Sequence, residues 1–365
     1  MNLWVVKIGT SIIRGNETIP TEIAIDKICN SIAKSKDKGE KIVLVTSGAV
    51  GLGCLKLNLQ RRPRDLVSLQ AAAAIGQVHL MKLYQYSMAK YGYNIAQVLL
   101  TRADLSSKGS YRNASLTLQK LLEFDVVPII NENDALSPEE LKYGDNDTLS
   151  ALLASAIQAN QLILLTDIDK LYSTDPKISI EAEPITDVRN TREIINLEKT
   201  NSQSGDWGTG GINTKLTAAR IATSSGIKVQ MADGRDPSIL DELLQGGRGG
   251  TVFYANPHPM GSRKSWLAHA IKPLGSISID DGAVKAIQEQ GASLLLVGIT
   301  KVEGKFLSNQ PVRVINALGK ELAKGLSSMG SDEIKNTIRK NGYRIKSPVV
   351  IHRDVLVLTG ENITD

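Results

Sequence analysis

The sequence predicts an α/β protein: a three-layer α/β/α sandwich with a mainly parallel central sheet, followed by a small β-rich C-terminal domain. Short runs that are apolar throughout alternate with longer helical patterns, and strands buried on both faces need helices above and below the sheet. Composition agrees, with 42% hydrophobic, 22% charged and only 4% aromatic residues; this suits α/β packing better than a β-sandwich and excludes a disordered chain. The pattern then changes near the C-terminal quarter, and 365 residues is long for a single core. The expected division is a first domain over 1–255, a linker over 256–272 and a second domain over 273–365.

In chain order, LWVVKIG reads as a first strand and 21–38 as a helix, then KIVLVTSG and a helix over 64–91. IAQVLLT precedes a helix over 110–124, VVPIIN one over 147–159, and LILLTDI one over 212–225. IKVQMADG is followed by a last helix over 237–245. NPHPMGSRKSWLAHAIK lacks periodicity and carries prolines and glycine, the marks of a linker. After it come one short helix, AVKAIQEQ, and the strand candidates LLLVGITKV, PVRVINAL and PVVIHRD.

The N-terminal MNLWVVKIG enters a strand at once, so no export signal is expected. ALLASAIQANQLILLT is interrupted by Gln158, Asn160 and Gln161 and reads as a helix running into a buried strand, not as a membrane span. Cys29 and Cys54 match no metal spacing, which predicts free thiols and a reducing cytoplasm. A net charge of +5 and a pI near 9.0 suit an anionic ligand but form no basic tail.

In doubly wound sheets ligands bind beyond the carboxyl ends of the strands. The polar clusters fall there: GTS after the first strand, SGAVGLG after the second, NEND after VVPII, TDID after LILL. Lys7 lies inside an apolar strand, where an unpaired ammonium is costly; it either snorkels at the strand end or meets an anion or carboxylate. Gly9, Thr10 and Ser11 leave the backbone open to a phosphate chain. Ser47 and Gly48 leave room for a ligand, or make a tight strand-to-helix connection. Thr166 and Asp167 serve as simple caps or approach a nucleotide.

GTGGINTKLTAAR ends its glycine-rich run in Lys215 just before a helix, a combination that favours phosphate, although it is neither a Walker A loop nor GxGxxG after a strand. Asn131, Asn133 and Asp134 form one amide and acidic cluster; Asp145, Asn146 and Asp147 form another. Caps and turns explain each residue singly, but two clusters brought together at one sheet edge suit a ligand ammonium group. One Asp is then left to orient nearby lysines.

No Ser-His-Asp arrangement appears, and His79, His258, His269 and His352 lie away from every loop named. With no general base, the chemistry that fits is phosphoryl transfer to a carboxylate, which is already anionic at neutral pH. Lys7 and Lys215 then bracket the transferring group and suppress the repulsion between two anions.

The motifs VVKIGTS, VTSGAVGLG, LLTRADL, VVPIINENDA, GDNDTLSALLA, LLTDIDKLYSTDP and GTGGINTKLTAA, in this order, resemble those of the glutamate 5-kinases in the amino acid kinase family. The tail from GASLLLVGITKVEGKF to PVVIHRD resembles a PUA domain. The resemblance implies ATP- and Mg2+-dependent phosphorylation of the side-chain carboxylate of L-glutamate, giving glutamyl 5-phosphate for proline synthesis, with feedback inhibition by proline. It implies Lys7 and Lys215 on the transferring phosphoryl group and Asp147 holding both lysines. Ser47, Gly48, Asn131, Asp134, Asp145 and Asn146 are placed on glutamate; Lys7, Gly9, Thr166, Asp167 and the loop Thr209, Gly210, Gly211, Ile212, Asn213, Thr214 and Lys215 on ATP. Magnesium is expected on the ATP phosphates, with no protein metal site.

The resemblance also implies a homo-oligomer, dimer or tetramer, and functional coupling to a glutamyl phosphate reductase. Departures from the family pattern are Lys170 in place of a glycine, Ile212 in place of a methionine and Leu296 in place of a proline. The alternatives are another amino acid kinase, such as an acetylglutamate or aspartate kinase, and an RNA-binding or RNA-modifying protein. An N-acetylated substrate has no ammonium and leaves Asp134 poorly used. Residues 272–365 hold 13 Lys and Arg against 10 Asp and Glu without a basic stripe, a weak footprint for RNA.

Overall fold

The computed structural model describes residues 2–14, 19–136, 146–174, 176, 181–203, 211–236, 238–339 and 347–359. The chain divides into two compact units, one ending at Pro259 and one beginning at Met260.

The first unit opens with strand β1 (Leu3–Ile8), a short helix α1 (Thr10–Ile13) and α2 (Thr21–Asp37). In α2 the residues Ala24, Ile25, Ile28, Cys29 and Ile32 are buried, the i, i+4, i+7 stripe of a helix lying on a sheet. Then follow β2 (Lys41–Val45), α3 (Ala49–Lys56), α4 (Leu66–Lys90), β3 (Ile95–Leu100), α5 (Arg102–Ser106), α6 (Lys108–Glu123) and β4 (Val127–Glu132). Beyond them lie α7 (Asn146–Ile157), β5 (Gln161–Thr166), the small pair β6 (Leu171–Tyr172) and β7 (Pro184–Ile185), and β8 (Asp187–Val188). The unit closes with α8 (Thr191–Gln203), α9 (Gly211–Ser224), β9 (Lys228–Asp233), α10 (Ser238–Leu244) and β10 (Thr251–Phe253).

Eight strands form one sheet in the order β3-β4-β2-β1-β5-β9-β10-β8. Every neighbouring pair is parallel except β9 with β10. From β1 the chain builds outward on one side through β2 and β4, and on the other through β5 and β9. Strand order therefore reverses at β1, which opens a crevice at its carboxyl end. Lys7 sits there, in register with Val45 of β2 and Leu164 of β5.

Two features of this unit go beyond the sequence pattern. Helix α3 is absent from it because AVGLGCLK carries two glycines, poor helix formers; packing on α4 supplies what propensity lacks. At Gly53 a Cβ would fall 1.8 Å from the carbonyl oxygen of Ala72, and at Gly76 one would fall 1.8 Å from that of Ala49. The two backbones thus touch, and Gly76→Ala is expected to cost at least the upper end of the ~1–3 kcal/mol typical of overpacking. An unchanged denaturant midpoint for that variant would rule out this close approach. Helix α8 is likewise absent from the sequence pattern; its sequence TREIINLEKTNSQ is mostly polar, and Ile194 is its fully buried anchor.

Residues 66–89 of α4 form the one helix among those described that is long and apolar enough to cross a bilayer, with mean hydropathy 1.2. Its buried face, which includes Ala73, Gln77, Leu80 and Tyr84, is seated within the unit.

The second unit contains α11 (Ser262–Ser265), a π-helical turn over Trp266–Ala270, β11 (Gly275–Ile279), α12 (Asp281–Gln290), β12 (Leu294–Leu295) and β13 (Ile299–Gly304). It continues with β14 (Gln310–Ile315), β15 (Glu321–Ser327), α13 (Ser331–Arg339), β16 (Val349–Ile351) and β17 (Leu356–Leu358). Five strands pair in the order β13-β11-β14-β15-β17, around a core that includes Ile277, Phe306, Val312 and Leu322.

Here the segment expected as a linker is largely helical, because WLAHAI is an apolar run whose Trp266 and Leu267 are buried in this unit. Helix α13 is likewise additional: only Ile334 and Ile338 mark its apolar face, too few for a pattern. Of the family departures, Leu296 is buried in this core and Ile212 in α9, while Lys170 lies 3.9 Å from Asp169.

Candidate active site

Lys7, Asp147 and Lys215 converge at the carboxyl end of β1. Lys7 Nζ lies 2.6 Å from Asp147 Oδ1, and Lys215 Nζ lies 3.1 Å from Asp147 Oδ2. Thr214 Oγ1 donates to the same Oδ2 at 3.0 Å, and Lys215 Nζ also donates to the Gly211 carbonyl at 3.1 Å. All three charged side chains are buried. Burial pushes the Asp147 carboxyl up, but the two ammonium groups outweigh it and bring the pKa down to about 2. One carboxylate shared by two ammonium groups leaves a net positive charge in a site shielded from water, where a phosphate is strongly attracted.

Asp147 is placed by the first turn of α7, which is buried along its whole length. The preceding residue, Asn146, ties this turn to the neighbouring strand ends. Its Nδ2 donates to the Thr46 carbonyl at 3.0 Å, to Ser47 Oγ at 2.9 Å and to Asn131 Oδ1 at 3.1 Å. Asn146 Oδ1 is buried with no partner, and an orphaned buried acceptor marks the place of a missing donor.

Asn146, Ser47, Gly48 and Asp134 line a cavity of about 350 Å3. Gly48 adopts φ +98° before α3, with Ile13 Cγ2 3.0 Å from where its Cβ would be; only glycine takes this turn without strain. Burial raises the Asp134 carboxyl to about 6, against the pull of the Arg62 guanidinium.

On the other side of Lys7, the Gly9 N–H donates to the Leu165 carbonyl at 3.0 Å, and the Gly234 N–H to the Thr166 carbonyl at 2.8 Å. Thr166 is buried and its Oγ1 donates to Asp167 at 3.2 Å, while Asp167 is exposed. Gly211 opens α9, with Ile212 buried and Asn213 exposed on its first turn. Asp145, Thr209 and Gly210, and most of the loop expected to fold over the sheet edge, lie outside the described residues.

The structure therefore brings the expected residues into two adjoining groups: Lys7, Asp147, Thr214 and Lys215 in one, and Ser47, Gly48, Asn131, Asp134 and Asn146 in the other. Sequence reasoning missed Arg14, Arg61 and Arg62 on the cavity wall; the run QRRPRD was the available signal for the latter two. It also missed Gln77 and Tyr84 of α4, which reach Asn131 and Thr46 at 2.8 and 2.9 Å. Cys29 and Cys54 are both free thiols, and Cys54 lines the cavity.

The model of the amino acid kinase family matches residues 2–233, and that of the PUA domain matches residues 275–349. Carbamate kinase from Giardia lamblia bound to AMP-PNP shares the fold, with a TM-score of 0.52 over 70% of this chain and 99% of that one, at 17% identity. Class and fold thus agree on a kinase domain followed by a PUA domain.

Over nearly its whole length the chain is similar to proteins named glutamate 5-kinase. The one from Prochlorococcus marinus (strain NATL2A) is 62% identical over 99% of this chain and 100% of that protein. The one from Synechococcus sp. (strain CC9605) is 57% identical over 98% and 99%. The chain belongs to the amino acid kinase family and, within it, to the glutamate 5-kinases.

Proposed function

We propose that this protein transfers the γ-phosphoryl group of ATP to the side-chain carboxylate of L-glutamate, giving L-glutamyl 5-phosphate, the first step of proline biosynthesis. The observation that carries this reading is Asp147 held between Lys7 and Lys215, beside an amide cluster with a free buried acceptor. A carboxylate oxygen of glutamate attacks the γ-phosphorus, the bond to the bridging β–γ oxygen breaks, and ADP leaves with that electron pair. No proton moves at the acceptor, so the transfer itself needs no general base.

Lys7 and Lys215 neutralise the approach of one anion to another, and Asp147 keeps the two ammonium groups from repelling each other. Asn146 Oδ1 and Asp134 receive the glutamate ammonium, with Ser47, Gly48 and Asn131 shaping the same wall. ATP lies across Gly9, Thr166, Asp167 and the amino end of α9, where backbone N–H groups and the helix dipole favour phosphate. Asp147 is already shared by two lysines, so Mg2+ would be held by the ATP phosphates and would supply further charge neutralisation there. Feedback inhibition by proline at or beside the glutamate pocket, a dimeric or tetrameric assembly, a cytoplasmic location and coupling to a glutamyl phosphate reductase belong to the same reading.

The direct test is a panel of glutamate, aspartate and N-acetylglutamate with ATP and magnesium, trapping acyl phosphate with hydroxylamine, with and without proline. Turnover of aspartate in place of glutamate would overturn the assignment.

Asp134 adds a pH dependence. Its carboxyl sits at about 6, and only the carboxylate holds an ammonium group. The KM for glutamate is therefore expected to rise about tenfold between pH 7 and pH 5, and Asp134→Asn to abolish that slope. The stability effect has the opposite sense: a raised carboxyl favours the fold below about pH 4, and this contribution is lost as pH rises through 6.

A further inference from the structure

Three side-chain amides stand in a row behind the cavity, all with the same polarity. Gln77 Oε1 accepts from Asn131 Nδ2 at 2.8 Å, and Asn131 Oδ1 accepts from Asn146 Nδ2 at 3.1 Å. A side-chain amide can be turned end for end without a change of shape, so the polarity of such a row must be set by groups that cannot turn. Two backbone groups do so here. The Glu132 N–H donates to Asn131 Oδ1 at 2.9 Å, and the Thr46 carbonyl accepts from Asn146 Nδ2 at 3.0 Å. With both fixed, Asn131 Nδ2 must face α4, where it is buried and needs an acceptor.

Gln77 is that acceptor, and its own state is unusual. Its Nε2 is buried with no partner, although Ala73, Leu80 and Tyr84 on the same face of α4 are buried beside it. An apolar side chain at position 77 avoids the unpaired donor, so the amide is retained at a cost for its oxygen alone.

We propose that Gln77 is a positioning residue of the amino-acid pocket. It holds Asn131, and through it Asn146, so that the Asn146 carbonyl oxygen stays available as the acceptor for the substrate's ammonium group. Gln77 touches no reacting atom. If its oxygen is removed, Asn131 Nδ2 is buried and unpaired. Turning Asn131 over to relieve this sets two NH2 groups face to face and pushes Asn146 out of place. The inference rests on glutamate being the acceptor.

The test compares Gln77→Met, similar in length but without an acceptor, with Gln77→Glu, which keeps one. Steady-state kinetics are combined with inhibition by glutarate, a dicarboxylate that lacks the ammonium group. Gln77→Met is expected to raise the glutamate KM about tenfold, the scale of one hydrogen bond to a charged group. Its kcat, its KM for ATP and its Ki for glutarate are expected to stay within about threefold of wild type, well below the scale of that bond.

Gln77→Glu is expected to restore the glutamate KM. A Met variant with the wild-type glutamate KM overturns the proposal, as does one that weakens glutamate and glutarate alike, which is the mark of a packing role. Thermal melting of both variants separates loss of fold from loss of position, and a folded Glu variant that fails to restore KM also overturns it. Failure of the wild type to use glutamate is a different result, and refutes the assigned substrate instead.

Discussion

Lys215→Ala is expected to lower kcat by about 10^2 to 10^3-fold, the loss seen when one donor to a transition-state anion is removed, while the chain remains folded. The reason lies in the charge count of the buried site. Two ammonium groups share one carboxylate, so removing Lys215 leaves a neutral Lys7–Asp147 pair at 2.6 Å and no unpaired buried charge. The remaining cost is the packing of the lysine stem, within the ~0.5–3 kcal/mol usual for a single substitution. Single-turnover rates and a melting curve measure the two effects separately. Full activity in the variant would remove Lys215 from the mechanism.

Asp147→Asn has the opposite balance. The variant places two ammonium groups beside a neutral amide in a buried site, and breaking a buried pair in this way typically costs about 3–5 kcal/mol. Part of this is recovered if one lysine gives up its proton, but a neutral lysine no longer stabilises a phosphoryl group, so activity falls with stability. Acid adds a further signature. Burial acts to raise the Asp147 carboxyl, but Lys7 and Lys215 hold it at about 2. The stability it contributes is complete above about pH 4 and disappears as pH falls toward 2. Denaturant midpoints measured across that range are expected to fall more steeply for the wild type than for the variant. A variant as stable as wild type at pH 7 would show that Asp147 does not hold the lysines together.

The core of the site was legible wherever one residue broke a local rule. Lys7 breaks the apolar run of β1, and a buried ammonium demands a partner. Asp145, Asn146 and Asp147 exceed what one helix cap needs, so a surplus of oxygens at one strand end had to be explained. Gln77 was not legible, because one glutamine in AAAAIGQVHL is ordinary in a helix until its neighbour across space is known. Arg61 and Arg62 form no motif in the sequence, and only the cavity shows that they line a wall beside Asp134. Residues 256–272 read as a linker because local signals weigh proline and glycine, whereas the burial of Trp266 and Leu267 depends on apolar partners far along the chain.

The alternation of apolar strands with helices and the place of the glycine-rich and acidic loops at the strand ends follow from the sequence alone, because each depends on residues close together in the chain. Tertiary structure decided that Asp147 would stand between Lys7 and Lys215, that Gln77 would hold Asn131, and that α3 would form at all. Each of these depends on atoms from distant segments meeting within hydrogen-bond or van der Waals distance. Periodicity fixes which face a residue occupies, whereas strand order and helix contact fix which residue it meets there.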